Sequence, residues 1–274
     1  MRRLIIFSDL DGTFLNHHTY DHKPASELIS VLREHNIPVI FASSKTLSEI
    51  SKLQEELNLT DPFIVENGAG VSIPKGYFPK DSDCDEDNKV YVFSENLEVI
   101  REKIVPLQKE YKFRGFSDYS LEELIELTSL SMADAINAKD RICSEPIRWL
   151  DSQDRLIPFT EALEEIGLRI VKGGRFHHII GYCDKSIAMT WLLKKYKQNN
   201  LEDRFISIAL GDSPNDFVML NCADIPVVID SGANNQLKLS AENVMYPKGK
   251  GPEGWFSAVN QILKEFNIRT KTYG

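Results

Sequence analysis

Apolar and polar positions alternate along this chain in blocks that predict a strand–helix repeat. Leu4-Ile5-Ile6-Phe7 is a short continuous apolar run, the pattern of a strand buried on both faces. Pro24 suits a helix start, and Leu28, Ile29, Val31 and Leu32 give a helical apolar face up to His35. Ile37 to Ala42 reads as a second strand, followed by a helix through Ile50, Leu53 and Leu57. Pro62 to Val65 is a third strand, followed by a hairpin with Val71 to Ile73 and a turn near Pro74-Lys75-Gly76. Strand, helix, strand, helix implies a parallel sheet with right-handed crossovers.

From Val90 to Ile180 the pattern changes. Tyr91 to Phe93 reads as a strand and Leu97 to Tyr111 as a helix. Ser120 with Glu123 forms a capping-box pattern that opens a helix through Leu124 and Leu127. Ser131 to Ala138 reads as a short helix, Glu145 to Leu150 as a strand and Phe159 to Ile166 as a helix. Leu168 to Lys172 and Arg175 to Ile180 read as a hairpin turning at Gly173-Gly174. A mixed α+β unit of about a hundred residues is large enough for its own core. The parallel pattern then resumes, with a helix after Asp184, strands at Phe205 to Leu210 and Ile225 to Ile229, and a closing helix from Trp255 to Phe266. The expected fold is α/β, a Rossmann-like parallel-sheet core interrupted by an inserted α+β cap. Its parts are a first core segment 1–82, the cap 83–183 and a second core segment 184–274.

The acidic run Asp81 to Asn88 reads as a flexible connector. As a calcium loop it fails, because Glu86 stands at the sixth position and Val92 where the closing acid belongs. Hinges are expected near Asp81 and Tyr182.

The chain has 274 residues, with 32 Lys and Arg against 41 Asp and Glu, a net charge of −9. That balance opposes nonspecific binding to nucleic acid or to anionic membranes. Positive charge for an anionic substrate must therefore be local. Cys84, Cys143, Cys183 and Cys222 are scattered without a Cys-x-x-Cys pair, so reduced thiols and a cytoplasmic location are expected. The apolar run after Arg2 and Arg3 is too short for a signal-peptide core, and no stretch is long enough for a membrane helix. His17, His18 and His22 near Asp21 read as a solvated loop. Oligomeric state is not legible.

Chemistry concentrates at the strand ends. Asp9 and Asp11 are two apart, so in extended backbone they project to the same side. Gly12 then lets the chain turn. Carboxylates this close repel unless a cation relieves them, and Mg²⁺ is the natural choice for oxygen ligands. Ser43-Ser44-Lys45-Thr46 leaves the second strand and opens a helix, an anion cradle. Glu66 and Asn67 leave the third. Lys185 lies in the first turn of a helix, where a cation opposes the dipole and an anion opposite would explain it. Gly211-Asp212-Ser213-Pro214-Asn215-Asp216 follows another strand. In open parallel sheets these ends share one edge, where ligands bind.

Such a set suits phosphate-monoester hydrolysis. Asp9 can attack phosphorus and form an aspartyl phosphate. Asp11 can protonate the leaving oxygen and then deprotonate water. Ser43 and Lys185 can hold the phosphoryl oxygens. The expected metal set is Asp9, Asp11, Asp212 and Asp216, the last as ligand or as hydrogen-bonded support.

Asp9-Leu10-Asp11-Gly12-Thr13, Ser43, Lys185 and Gly211 to Asp216 resemble, in order, the four signatures of the haloacid dehalogenase-like superfamily. The insert lies where that superfamily carries its type 2 (C2B) caps. A narrower resemblance is to mannosyl-3-phosphoglycerate phosphatases. It rests on Ser43 to Thr46, Glu66-Asn67-Gly68, Ile73 to Pro79, Gly174-Arg175-Phe176-His177 leading to Asp184-Lys185, and Gly211 to Asp216. It implies a Mg²⁺-dependent phosphatase that makes mannosylglycerate, a compatible solute. It also implies substrate contacts from Ser44, Lys45, Glu66, Asn67, Arg175, His177 and Asn215. Arg175 and His177 would meet the carboxylate or the sugar. Ser186 and Phe14 depart from the family's usual Gly and Leu. Competing readings are a phosphatase for glucosyl-3-phosphoglycerate or another sugar phosphate, a phosphosugar mutase, and a noncatalytic sugar-phosphate sensor.

Overall fold

The computed structural model describes residues 2–79, 88–173, 175–232, 239 and 243–268. The chain begins with β1 (Arg2–Ser8), α1 (Ile29–Glu34), β2 (Val39–Phe41), α2 (Leu47–Leu57), β3 (Phe63–Val65), β4 (Gly70–Pro74) and β5 (Asn88–Val92). It continues through α3 (Leu97–Ile104), β6 (Phe113–Gly115), α4 (Leu121–Thr128), α5 (Met132–Lys139), β7 (Ser144–Trp149), α6 (Leu156–Glu165), β8 (Arg169–Lys172) and β9 (His177–Ile180). It closes with α7 (Lys185–Asn199), β10 (Arg204–Gly211), α8 (Phe217–Cys222), β11 (Ile225–Val228) and α9 (Pro252–Glu265).

The first sheet has the order β11-β10-β1-β2, all parallel, and β3 joins its β2 edge through a parallel bridge from Ala42 to Ile64. The continuous apolar run of β1 explains the layering. Leu4 and Ile6 pack on one face in the cluster that holds α1 and Trp255, Val259 and Ile262 of α9. Ile5 and Phe7 pack on the other with Met189 and Leu192 of α7 and Leu220 of α8. A strand apolar on both sides is stable only between two helical layers. Phe14 fills the first face, edge-on to Trp255 with ring centroids 5.2 Å apart.

The insertion forms a four-stranded antiparallel sheet, β6-β7-β9-β8, with its own core of Ile100, Phe113, Ile147, Phe159, Leu163 and Ile179. The α/β class with an α+β insertion is thus the observed architecture. Three local expectations differ. The helix expected to run to Tyr111 stops at Ile104 and continues as a 3-10 turn, Val105–Lys109, because Pro106 has no N–H to donate. The strand near Tyr91 does not belong to the cap sheet: β5 pairs antiparallel with β4, so the β3-β4-β5 ribbon belongs to the core. Strand β6, only three residues long, has no period to read. The acidic connector and the hinge near Asp81 lie outside the described residues, apart from Asn88 at the start of β5.

Glu66 joins the two units. It is fully buried and accepts hydrogen bonds from the backbone N–H groups of Ile142 (2.8 Å) and Cys143 (3.0 Å) and from Ser144 Oγ (2.6 Å). Arg141 Nε lies 3.7 Å from its carboxylate. Next to it Gly68, at φ +95°, allows backbone contact with the start of α7: a Cβ there would stand 2.1 Å from the Asp184 carbonyl oxygen. Glu66→Ala would leave three buried donors without an acceptor. It is expected to lower the unfolding free energy by about 3–5 kcal/mol in urea denaturation, with a smaller loss for Glu66→Gln.

Candidate active site

Because β1, β2 and β10 run in one direction, Asp9, Ser43 and Asp212 all emerge at one edge of the sheet. Asp9 N–H extends the ladder by donating to the Leu210 carbonyl at 2.9 Å. Gly12, at φ +88°, then turns the chain, and a Cβ there would stand 2.7 Å from Asp212 Oδ2. Only glycine lets the first motif approach the last this closely, and Thr13 Oγ1 closes the contact by donating to Asp212 Oδ1 at 3.1 Å. Gly211 does the same for Asp216, whose Cβ would lie 2.5 Å from one added at 211. Asp216 Oδ2 accepts from the N–H groups of Asp212 and Ser213, each at 3.1 Å.

Lys185 is the first residue of α7, and Asp184 caps that helix by accepting from the N–H groups of Ser186 (2.8 Å) and Ile187 (2.9 Å). The lysine is 1% exposed, and its Nζ donates to Asp9 Oδ1 and Asp216 Oδ1, both at 2.6 Å. Those carboxylates are the anions that a cation at a helix start requires. They hold its pKa above the ordinary value although burial pulls it down. Oxygens of Asp9, Asp212 and Asp216 lie within 4.8 Å of one another. Burial and the neighbouring Asp216 push Asp9 well above the usual carboxylate range, against the pull of Lys185. The same two causes push Asp212 up to about 7. Three acids share one ammonium, so an all-oxygen set with surplus negative charge fits a hard divalent cation.

Asp11 stands apart from this cluster. Its Oδ2 pairs with Lys45 Nζ at 3.1 Å, and its buried Oδ1 has no partner among the described residues. In this metal-free arrangement Asp11 is turned toward Lys45, which also lies 3.8 Å from Glu49, and not toward the cluster of Asp9, Asp212 and Asp216. Ser43 is 1% exposed, and its Oγ accepts from Lys45 N–H at 3.3 Å.

A cavity of about 170 Å³ opens over Asp9 and Asp11, lined by Ser44, Lys45, Asp212 and Asn215 from the core and by Arg141, Arg175 and His178 from the cap. Asn215 Nδ2 donates to Asn67 Oδ1 at 3.1 Å. A second cavity of about 410 Å³ shares Tyr20, Lys45, Glu49 and Leu130 with it. Three expected substrate contacts are absent from the inner cavity's wall. Glu66 is spent on the cap segment 142–144. His177 points elsewhere, since successive residues of β9 face opposite sides, and its neighbour His178 faces the cavity. Asn67 lies behind Asn215 rather than on that wall. Arg175 reaches the cavity, but its guanidinium donates to the carbonyls of Thr128 (2.8 Å) and Leu127 (3.0 Å). Arg141 was missed: it lies outside every motif, and only the fold carries it to the Ser44 carbonyl, 2.6 Å away. Its charge inside an otherwise weakly patterned stretch was the one available signal.

Among the remaining groups, His22 bonds Ser26 and Glu56, and His17 lies edge-on to His18 while also lining the inner cavity. A cavity of about 380 Å³ at the opposite edge of the sheet holds Asp61, whose carboxylate is already taken by Val39 N–H and Tyr77 Oη. Among the described residues no helix is long and apolar enough to cross a membrane.

Comparison with known proteins agrees with this geometry. Residues 6–125 match the family of haloacid dehalogenase-like hydrolases. The chain is 34% identical over 264 residues to the glucosyl-3-phosphoglycerate/mannosyl-3-phosphoglycerate phosphatase of Persephonella marina, covering 96% of this chain and 98% of that protein. A protein of the same name from Methanococcoides burtonii is 34% identical over 269 residues, with 96% and 98% covered. The fold is similar to that of a solved sugar phosphatase of HAD subclass IIB, with a TM-score of 0.62 at 17% identity, covering 97% of this chain and 99% of that one. With acids, lysine and cap arranged as described, the chain belongs to the haloacid dehalogenase-like hydrolases and is a phosphoric monoester hydrolase.

Proposed function

We propose that this enzyme hydrolyses mannosyl-3-phosphoglycerate to mannosylglycerate and phosphate, with glucosyl-3-phosphoglycerate as the alternative substrate. The observation that carries the reaction is the buried Lys185 bonded to Asp9 and Asp216 beside Asp212. The substrate rests on the names of the two full-length relatives. The shared wall between the two cavities supports it, because a hexose needs space beyond the phosphate and glyceryl groups.

Lys185 fixes Oδ1 of Asp9, which leaves Oδ2 to attack phosphorus in line. The bond to the leaving oxygen breaks, and an aspartyl phosphate remains. Asp11 is held by Lys45 through Oδ2, which leaves Oδ1 free: in its protonated form it gives the proton to the leaving oxygen, and as the resulting carboxylate it takes one from the water whose oxygen then displaces the Asp9 carboxylate from phosphorus, releasing phosphate. An ammonium has three protons and Lys185 uses two on carboxylates, so the third is available for a phosphoryl oxygen. Ser43 Oγ accepts from Lys45 N–H and keeps its own proton for the same purpose. Asp9 and Asp212, with Asp216 as ligand or support, would hold Mg²⁺, which would neutralise the phosphoryl charge. Asn215, oriented by Asn67, faces the bound substrate.

Asp9→Asn is expected to lower kcat by about 10³-fold or more with an unchanged circular dichroism spectrum; retained turnover would remove the nucleophile role. Chelation should stop phosphate release and Mg²⁺ restore it, so an enzyme indifferent to chelator contradicts the metal assignment. A panel of mannosyl- and glucosyl-3-phosphoglycerate, sucrose 6-phosphate and hexose phosphates tests the substrate, and a bisphosphate product in place of free phosphate would indicate a mutase.

The raised acids also set a pH dependence. The folded protein holds the Asp212 proton up to about 7, whereas the ordinary value is 3.8. As pH rises between those values the unfolded chain releases its proton first, so the metal-free protein loses stability across that window. Asp212→Asn should therefore raise the metal-free Tm at pH 8, by about 2–4 °C per kcal/mol relieved. Thermal scans at pH 5 and pH 8 check the sign: wild type should gain more from Mg²⁺ at the higher pH.

A further inference from the structure

His178 is a buried polar side chain for which the reaction as drawn has no use. It lies on β9, 8% exposed, and faces the catalytic cavity. Its Nδ1 has no hydrogen-bond partner among the described residues. Burying such a group unpaired is unfavourable, and structures rarely retain one without a reason. A Cβ at Gly173 would stand 2.9 Å from Nε2, so a side chain there would press on the ring. Burial, with Arg141 close by, holds the imidazole neutral. A neutral ring carries one N–H, and Arg141 and Arg175 line the same cavity. The Arg175 guanidinium bonds neutral carbonyls, so its positive charge stays uncompensated there.

We propose that His178 is the specificity-determining residue of the cap, its Nδ1–H donating to a carboxylate on the organic group that the phosphate esterifies. The assignment rests on the substrate reading given above, in which that group is a glycerate. The Arg175 guanidinium supplies attraction for the negative charge, and the ring supplies a fixed direction. A substrate lacking the carboxylate would leave Nδ1 buried and unpaired, so it is rejected by the unpaired group as well as by a lost contact.

The probes are 3-phosphoglycerate and glycerol 3-phosphate, which differ at the carboxylate. Their binding is measured by calorimetry, with Mg²⁺, on the full-length Asp9→Asn protein, which does not turn them over. The parent is expected to prefer 3-phosphoglycerate by about 10- to 100-fold, the range of a charge-assisted hydrogen bond. His178→Phe, which keeps the ring volume, should abolish the preference while leaving glycerol 3-phosphate within about threefold. His178→Gln, which can still donate, should restore part of it. Equal affinity of the parent for both probes, or a preference that survives in His178→Phe, overturns the assignment. The substrate reading fails separately, in the phosphate-release panel with wild-type enzyme.

Discussion

One buried ammonium organises this enzyme. Lys185 has almost no contact with water, and its Nζ lies 2.6 Å from carboxylates on two different motifs. Placing a lysine there is unfavourable on two grounds, burial and the helix dipole, and both are offset only because Asp9 and Asp216 converge on it. The acids in turn need the lysine, and they outnumber it. The residual repulsion, which raises the Asp9 and Asp212 carboxyls, is what a cation bound among them would relieve.

That convergence depends on close backbone approach. Gly12, Gly68 and Gly211 each stand where a Cβ would collide with Asp212, the Asp184 carbonyl or Asp216. The Glu66-Asn67-Gly68 turn does three jobs at once. Glu66 ties down the cap segment, Asn67 orients Asn215, and Gly68 seats the start of α7. Its residues belong to the scaffold that holds the site, so their strong motif character is compatible with little or no substrate contact.

The cap supplies the other half of the cavity, with two arginines and a histidine facing an acid-rich core edge. This segregation of charge reconciles an overall net charge of −9 with an anionic substrate. Arg175 and Arg141 each donate two N–H groups to backbone carbonyls, while His178 keeps an unspent ring nitrogen.

Much of this was legible in the chain alone. Continuous apolar runs ending in Asp9, Ser43 and Asp212 determine a parallel sheet with those residues at one edge, because local period and strand direction are sequence properties. The capping box at Ser120 is local too. What the sequence could not decide is which neighbour each polar group meets. Asp11 pairs with Lys45, Glu66 turns to the cap, and β5 joins the core ribbon. His178 rather than His177 faces the cavity because strand register is set by pairing with β7 and β8, not by the motif itself. Such choices depend on contacts between residues distant in the chain, and only the packed tertiary structure brings those residues together.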